Sequence, residues 1–267
     1  MKYVLYHSKC YDGFGAAYAA WKKFGNSAKY IAVSYGYPVP EMPGATEVFI
    51  VDFSYPRDVI EEIAARVPLT VLDHHKTAKE ALEPLIRPDG YNPRVVFDME
   101  RSGAKITWEY LHRTPCPPLI EHISDRDLWQ FKLDGTAKIH KALVALPMDF
   151  EVWDQLDCEQ LKKDGEVCER LYSQLVHNIV ESAWLGEIDG KLCAMVNTSF
   201  AWSEVGEALL EKYANQPGVK FAASFTVFRD QTMWSLRSKG DFDVSAIAKK
   251  FGGGGHKNAA GFKAARY

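Results

Sequence analysis

The sequence predicts an α/β protein in two parts: a first domain built on a mainly parallel sheet, then a smaller α/β domain reached through a helical connector. Two patterns predict this. Short apolar runs alternate with amphipathic runs of helical period through the first half of the chain, and such alternation implies right-handed crossovers between parallel strands. After a long charged helical stretch, the alternation resumes. The chain has 267 residues, 47% of them hydrophobic and 25% charged, which is enough to bury a sizeable core.

The elements follow in order. "KYVLYH" reads as a strand and "GFGAAYAAWKKFG" as a helix closing at Gly25, a C-terminal cap. "KYIAVSYG" reads as a strand, "PVPEMPGA" as a loop and "TEVFIVDFS" as a strand. "YPRDVIEEIAARV" is a helix with proline near its first turn and acids early. "PLTVLDHH" is again a strand, and helices follow over Ser102 to His112 and Pro118 to Asp127. From Leu143 to Leu185 the pattern is helical and charged. Beyond it, "KLCAMVNTS", "KFAASFTVF" and "TMWSLRSK" read as strands, with "WSEVGEALLEKYA" and "DVSAIAKKFG" as helices. The expected domains are therefore 1–142, a connector 143–186, and 187–267. No internal repeat is present.

Composition excludes several classes. No apolar stretch approaches the ~20 residues of a membrane span, and "MKYVLYHSKC" lacks the apolar length of a signal peptide. The expectation is a cytoplasmic protein with no membrane partner. The five cysteines are odd in number and form no C-x-x-C pair, against a disulfide framework or a zinc ribbon. A net charge of −3 does not suit a general polyanion binder or a partner of long duplex DNA. The charge is uneven, however. Val219 to Tyr267 holds nine Lys/Arg against three Asp, leaving −9 for the rest. An acidic front and a basic tail suit a metal-binding part joined to an anion-binding part.

Three strand-like runs end on ligand-type residues. The first ends at His7, with Asp12 five residues on; the second ends at Asp52; the third ends at Asp73, His74 and His75. A fourth candidate lies in "HISDRDLW", where Asp125 and Asp127 follow a short apolar run. An open parallel sheet gathers ligands at the carboxyl ends of its strands, so these residues would converge at one edge. Such a charge cluster needs cations to be buried. The carboxylate and imidazole mixture favours Mn²⁺, with Fe²⁺, Co²⁺, Zn²⁺ or Mg²⁺ as competitors. There are carboxylates enough for two ions, and one between them could bridge a separation of ~3.5–4 Å. In the tail, four consecutive glycines, Gly252 to Gly255, let a backbone approach an anion, and His256 adds a donor.

Taken together, "HSKCYDGFGAA", "VDFS", "DHH" and "FGGGGHKNAAGF" resemble the DHH phosphoesterase superfamily, in its branch with a carboxyl-terminal DHHA1 domain. That branch includes RecJ-type exonucleases, nanoRNases, phosphoadenosine-phosphate phosphatases and cyclic-dinucleotide phosphodiesterases. The resemblance runs from residue 7 to residue 262. It implies one metal on His7 and Asp52, and a second on Asp12, Asp52, His74 and Asp125, with Asp52 as the bridge. Asp73 would sit behind the ligands and fix an imidazole tautomer, and His75 would face the substrate phosphate. Many members carry aspartate where this chain has Cys10, which makes Cys10 a candidate ligand. Arg237 and Ser238 match the substrate-binding strand of the DHHA1 domain, and Gly253, Gly254, Gly255 and His256 its glycine motif. The implied active site lies in the cleft between the domains. The implied activity is metal-dependent hydrolysis of short oligonucleotides or linear dinucleotides from an end. Its alternatives are a RecJ-type exonuclease, a phosphoadenosine-phosphate phosphatase and a non-catalytic nucleotide sensor. A homodimer is left open.

Overall fold

The computed structural model describes residues 1–87 and 91–265, which fall into two units, Met1–Glu169 and Arg170–Tyr267. The first opens with β1 (Lys2–His7), α1 (Tyr11–Phe24), β2 (Ala28–Val33), β3 (Glu47–Val51), α2 (Arg57–Ala64), β4 (Leu69–Asp73), α3 (Lys76–Leu82) and β5 (Arg94–Phe97). Four helices follow: α4 (Gly103–His112), α5 (Pro118–Asp127), α6 (Thr136–Val144) and α7 (Phe150–Asp154). A long helix, α8 (Cys158–Glu181), then carries the chain from the first unit into the second.

The five strands form one sheet in the order β2-β1-β3-β4-β5, every pairing parallel. Alternation along the strands sends side chains to two cores. Val4, Phe49, Val51 and Leu72 face one side, where Phe14, Ala16 and Ala20 of α1, Ala104 and Ile106 of α4, and Ile120 and Ile123 of α5 meet them. Tyr3, Leu5, Val48, Ile50 and Val71 face the other, against Ile60 and Ile63 of α2 and Leu82 of α3. Burial on both faces explains why β3 and β4 read as continuous apolar runs. The short, more polar segments β5 and α3 gave no such pattern, and sequence reading passed over them.

The expected connector is not a separate piece. Trp153 is 1% exposed, and its indole packs edge-on against Phe14 with ring centroids 4.7 Å apart. Leu161 of α8 joins the same core. The first unit therefore continues past residue 142, through α6, α7 and the start of α8.

The second unit adds β6 (Trp184–Ile188), β7 (Lys191–Asn197), α9 (Trp202–Lys212), β8 (Phe221–Phe228), β9 (Gln231–Ser238), α10 (Val244–Lys250), β10 (Gly254–Gly255) and β11 (Ala259–Ala265). Its sheet runs β10-β11-β9-β8-β7-β6. Only the β7–β8 pairing is parallel. One face packs on Val244, Ile247 and Ala248 of α10; the other packs on Val205 and Leu209 of α9 and on Val176 and Val180 of α8. β6 was not expected, since it begins inside the stretch read as the helical connector. Among the described residues no helix is long and apolar enough to cross a membrane.

Trp153→Ala should cost about 3–5 kcal/mol through the cavity it leaves, lowering the midpoint of the first unit's thermal transition by about 2–4 °C per kcal/mol. Calorimetry checks this. A transition unmoved by the substitution would show that residues beyond 142 lie outside the first core.

Candidate metal centre

The strand order β2-β1-β3-β4-β5 reverses direction at β1, and the carboxyl ends of β1 and β3 flank that switch point, where open α/β sheets take their ligands. Register then sets the level of the functional groups. Tyr6 pairs with Val51, and Val51 with Leu72, so His7, Asp52 and Asp73 stand one residue further along on the same row.

Asp52 is the centre of the cluster. Its carboxylate is 1% exposed. His74 Nε2 lies 3.2 Å from one of its oxygens, and His7 Nδ1 lies 3.6 Å from the other. Three donor sets share this residue: His7, Cys10 and Asp52; Asp12, Asp52 and His74; and Asp52, Asp73 and His75, each with candidate ligand atoms within 4.8 Å of one another. His74 Nε2 also faces Asp12 Oδ2 and Asp127 Oδ2, both at 3.5 Å. Three carboxylates thus crowd one buried imidazole.

The backbone is committed to this arrangement. Asp52 has φ +51°, in the left-handed region that aspartate tolerates better than most side chains. The first residue of α4, Gly103, sits so close that a Cβ there would come within 2.5 Å of Asp52 Cβ. That approach lets the α4 amino terminus reach Asp12, whose carboxylate accepts the Gly103 and Ala104 N–H groups at 2.6 and 3.0 Å. Helix termini favour such anions. Sequence reading missed Gly103; its signal was the glycine directly after Ser102, the N-cap of α4.

Asp73 is fully engaged by protein donors. It accepts from Ser54 Oγ at 2.6 Å, from the His74 and His75 N–H groups at 2.7 and 3.2 Å, and from His75 Nδ1 at 2.7 Å. This supports the His75 tautomer with the proton on Nδ1 and turns Nε2 away from Asp73.

Asp125 corrects an expectation. It accepts from the Lys132 and Leu133 N–H groups and from Thr136 Oγ1 at 2.8, 3.0 and 2.6 Å. Its lone pairs hold the loop between α5 and α6, and Asp127 is the residue beside His74. Both aspartates lie on α5, two residues and some 200° apart on a helix, so only one can face the cluster.

Charge coupling is strong. Burial, reinforced by Asp52 and Asp127, raises the Asp12 carboxyl well above the usual range. Burial would raise Asp52 too, but the imidazoles of His7 and His74 hold it well below. Burial opposes charge on His74, yet Asp52, Asp127 and Asp12 push it up to about 10. Burial likewise opposes charge on His75, and Asp73 overcomes it and raises the imidazole. The Cys10 thiol goes well above its ordinary value, through burial and then the three neighbouring carboxylates.

These residues fit divalent cations. His7 Nδ1 and Asp52 Oδ2 are buried without a hydrogen-bond partner, although they face each other across 3.6 Å. Orphaned buried polar atoms are costly, and a cation between them would satisfy both. The donor set of carboxylates, imidazoles and one thiol suits Mn²⁺, Fe²⁺ or Zn²⁺.

In the second unit, alternation along β9 sends Arg237 and Ser238 to opposite faces. Arg237 donates to Ser203 Oγ of α9, to Ser235 Oγ and to the Leu236 carbonyl at 2.9–3.0 Å. Ser238 is buried and donates to the Phe242 carbonyl at 2.6 Å, which corrects the expectation that it serves beside Arg237. Gly254 and Gly255 form β10 and pair with Gly261 and Ala260. A Cβ on Gly253 would collide with the Gly261 carbonyl, and one on Gly255 would lie 2.6 Å from the Ala259 carbonyl. Close strand packing thus requires these glycines. His256 closes the turn, its N–H donating to the Ala259 carbonyl at 2.8 Å.

Residues 189–266 match the DHHA1 domain family. An uncharacterised protein of Acanthamoeba polyphaga mimivirus is 30% identical over 97% of this chain; the match spans 66% of that longer protein, just under two thirds of its length. An exopolyphosphatase-related protein from Bacteroides fragilis is similar in structure, with TM-score 0.51 and 16% identity over 98% of this chain and 86% of its own. A pGpG-specific phosphodiesterase from Vibrio cholerae gives TM-score 0.49 at 15% identity, over 99% and 93% of the two chains. The family match thus identifies a DHHA1 domain in the second unit.

Asp127→Asn should weaken Mn²⁺ binding by at least about tenfold without lowering thermal stability. Asp125→Asn should do the reverse, costing about 1–3 kcal/mol while Mn²⁺ affinity holds. Calorimetric titration and thermal melts of both variants separate the two roles, and the opposite pattern would restore Asp125 as the ligand.

Metal binding should also release protons. A raised histidine pKa adds stability below its unfolded value near 6.5, and that stability is lost as pH rises through about 10, the folded value of His74. Metal-free protein should therefore lose stability on the alkaline side, while Mn²⁺ affinity climbs by about tenfold per pH unit for each proton displaced. Titrations in buffers of different ionisation enthalpy read the proton count; a count of zero at pH 7 would contradict a charged His74.

Proposed function

We propose that this chain is a divalent-metal-dependent phosphodiesterase that cleaves short oligonucleotides or linear dinucleotides from an end. The observation that carries the reading is Asp52, one buried carboxylate that joins the His7–Cys10 donors to the Asp12–His74 donors at the switch point of a parallel sheet. A carboxylate so placed serves as the bridge of a two-ion site, the arrangement suited to phosphate-ester hydrolysis. His7, Cys10 and Asp52 would hold one ion, and Asp12, Asp52, His74 and Asp127 the other. Bound there, the ions supply Lewis acidity and a water of lowered pKa.

The protein's own groups do the rest. Asp73 orients His75 and favours its charged form, so the imidazolium can donate to a phosphoryl or leaving-group oxygen. Asp12, anchored by the α4 amino terminus, keeps the second donor set in place as charge changes. Arg237, held by two serines and a carbonyl, offers a preorganised guanidinium for a terminal phosphate. The His256 side chain would add a donor for an anion.

The test is a length series. RNA of two, three and ten nucleotides, 5′-phosphorylated, is incubated with Mn²⁺ beside an Asp52→Asn control. Asparagine also tolerates the left-handed backbone, so this variant separates chemistry from folding. The expected result is a strong preference for the dinucleotide, reduced by at least about a thousandfold in the control. Processive loss of the ten-mer would indicate a strand exonuclease instead. Inertness on all three would overturn the oligonucleotide reading and direct the search to small nucleotides.

A further inference from the structure

One exposed aromatic ring stands at the rim of the metal cluster with no part in the chemistry described so far. Tyr35 follows β2, whose carboxyl end lies beside that of β1. It occupies the second position of a β-turn over Ser34 to Tyr37: the Tyr37 N–H donates to the Ser34 carbonyl at 3.3 Å, and Gly36 takes φ +82°, as the third position of a type II turn requires. The turn is tied to β1 by the Ser8 N–H, which donates to the Val33 carbonyl at 2.8 Å, and by a hydrogen bond between the Ser8 and Ser34 hydroxyls.

The ring itself is well supported. Phe53, 1% exposed, backs it with centroids 4.4 Å apart. The His7 imidazole meets it edge-on at 5.6 Å. Tyr35 nevertheless remains 44% exposed. A large aromatic surface held rigidly beside a phosphate-binding centre is what base stacking needs, and stacking accepts any base because every base has a π-face. In a nucleotide, one sugar separates the phosphate from the base, and His7 and Tyr35 are side by side on a comparable scale.

We propose that Tyr35 is the base platform of this site, stacking the nucleobase attached to the phosphate held at the metal cluster. It rests on the nucleotide phosphodiesterase reading above and adds a basis for preferring nucleotides over base-free phosphate esters.

The experiment measures binding to the full-length protein loaded with Mn²⁺. Dissociation constants for adenosine 5′-monophosphate and for ribose 5-phosphate are obtained by calorimetry in the wild type and in Tyr35→Phe, Tyr35→Leu and Tyr35→Ala. Wild type and Tyr35→Phe should favour the nucleotide by about tenfold or more, as expected for one stacked base. Tyr35→Leu, which keeps Phe53 covered but has no π-face, should bring the ratio to within about twofold, and Tyr35→Ala should match it. Retention of the wild-type ratio in Tyr35→Leu and Tyr35→Ala would overturn the proposal, as would its loss in Tyr35→Phe. Equal binding of both ligands by wild type would overturn it while leaving the phosphodiesterase reading standing. Wild type that takes up Mn²⁺ but binds neither ligand would remove both.

Discussion

The site turns on the electrostatic demand of a single buried carboxylate. Asp52 sits just past the end of β3, with a left-handed backbone that costs of order 1–3 kcal/mol, and its N–H donates to the Leu72 carbonyl of β4 at 2.9 Å. Around it stand two imidazoles, a thiol and further carboxylates. Protein partners alone leave one of its oxygens unsatisfied. A fold optimised for stability alone would not gather these groups around a buried carboxylate. Sheet order, the register of β1, β3 and β4, and the missing side chain of Gly103 all bring donors to this point.

The aspartates of the first unit divide by what consumes their lone pairs. Asp73 accepts from four protein donors and Asp125 from three, so both position other groups: Asp73 the His75 ring, Asp125 the loop leading to α6. Asp12 stands between the classes, anchored by two N–H groups while still facing His74. Asp52 and Asp127 face the cluster. A carboxylate's role in such a site follows from this hydrogen-bond accounting more closely than from its place in a motif.

The same logic separates neighbours in the DHHA1 domain. Arg237 and Ser238 are adjacent in sequence, yet a strand directs them to opposite sides of the sheet. One guanidinium is preorganised by serines beneath α9, and one hydroxyl is spent on a loop carbonyl. The glycine run likewise has a packing reason, since β10 and β11 approach too closely for a Cβ at Gly253. Any anion bound there would meet a backbone already fixed by the sheet.

Local chemistry in the sequence determined a good deal: the apolar runs of β1, β3 and β4, the polar residues that end them, and the glycine-rich tail motif. These are short-range patterns, so the parallel sheet and most of the candidate ligand residues could be read without coordinates. The choice between Asp125 and Asp127 could not, because it depends on the rotation of α5 against the sheet: Asp125 fits the motif better, yet Asp127 is the one beside His74. Trp153 and Leu161 looked like connector residues, since an amphipathic helix does not declare which core its apolar face will join. Tyr35 drew no notice because a tyrosine in a Gly- and Pro-rich loop is ordinary. Only tertiary structure, by pairing β2 beside β1 and placing Phe53 behind the ring, sets it next to His7, and contacts between residues so distant along the chain leave no periodic trace in the sequence.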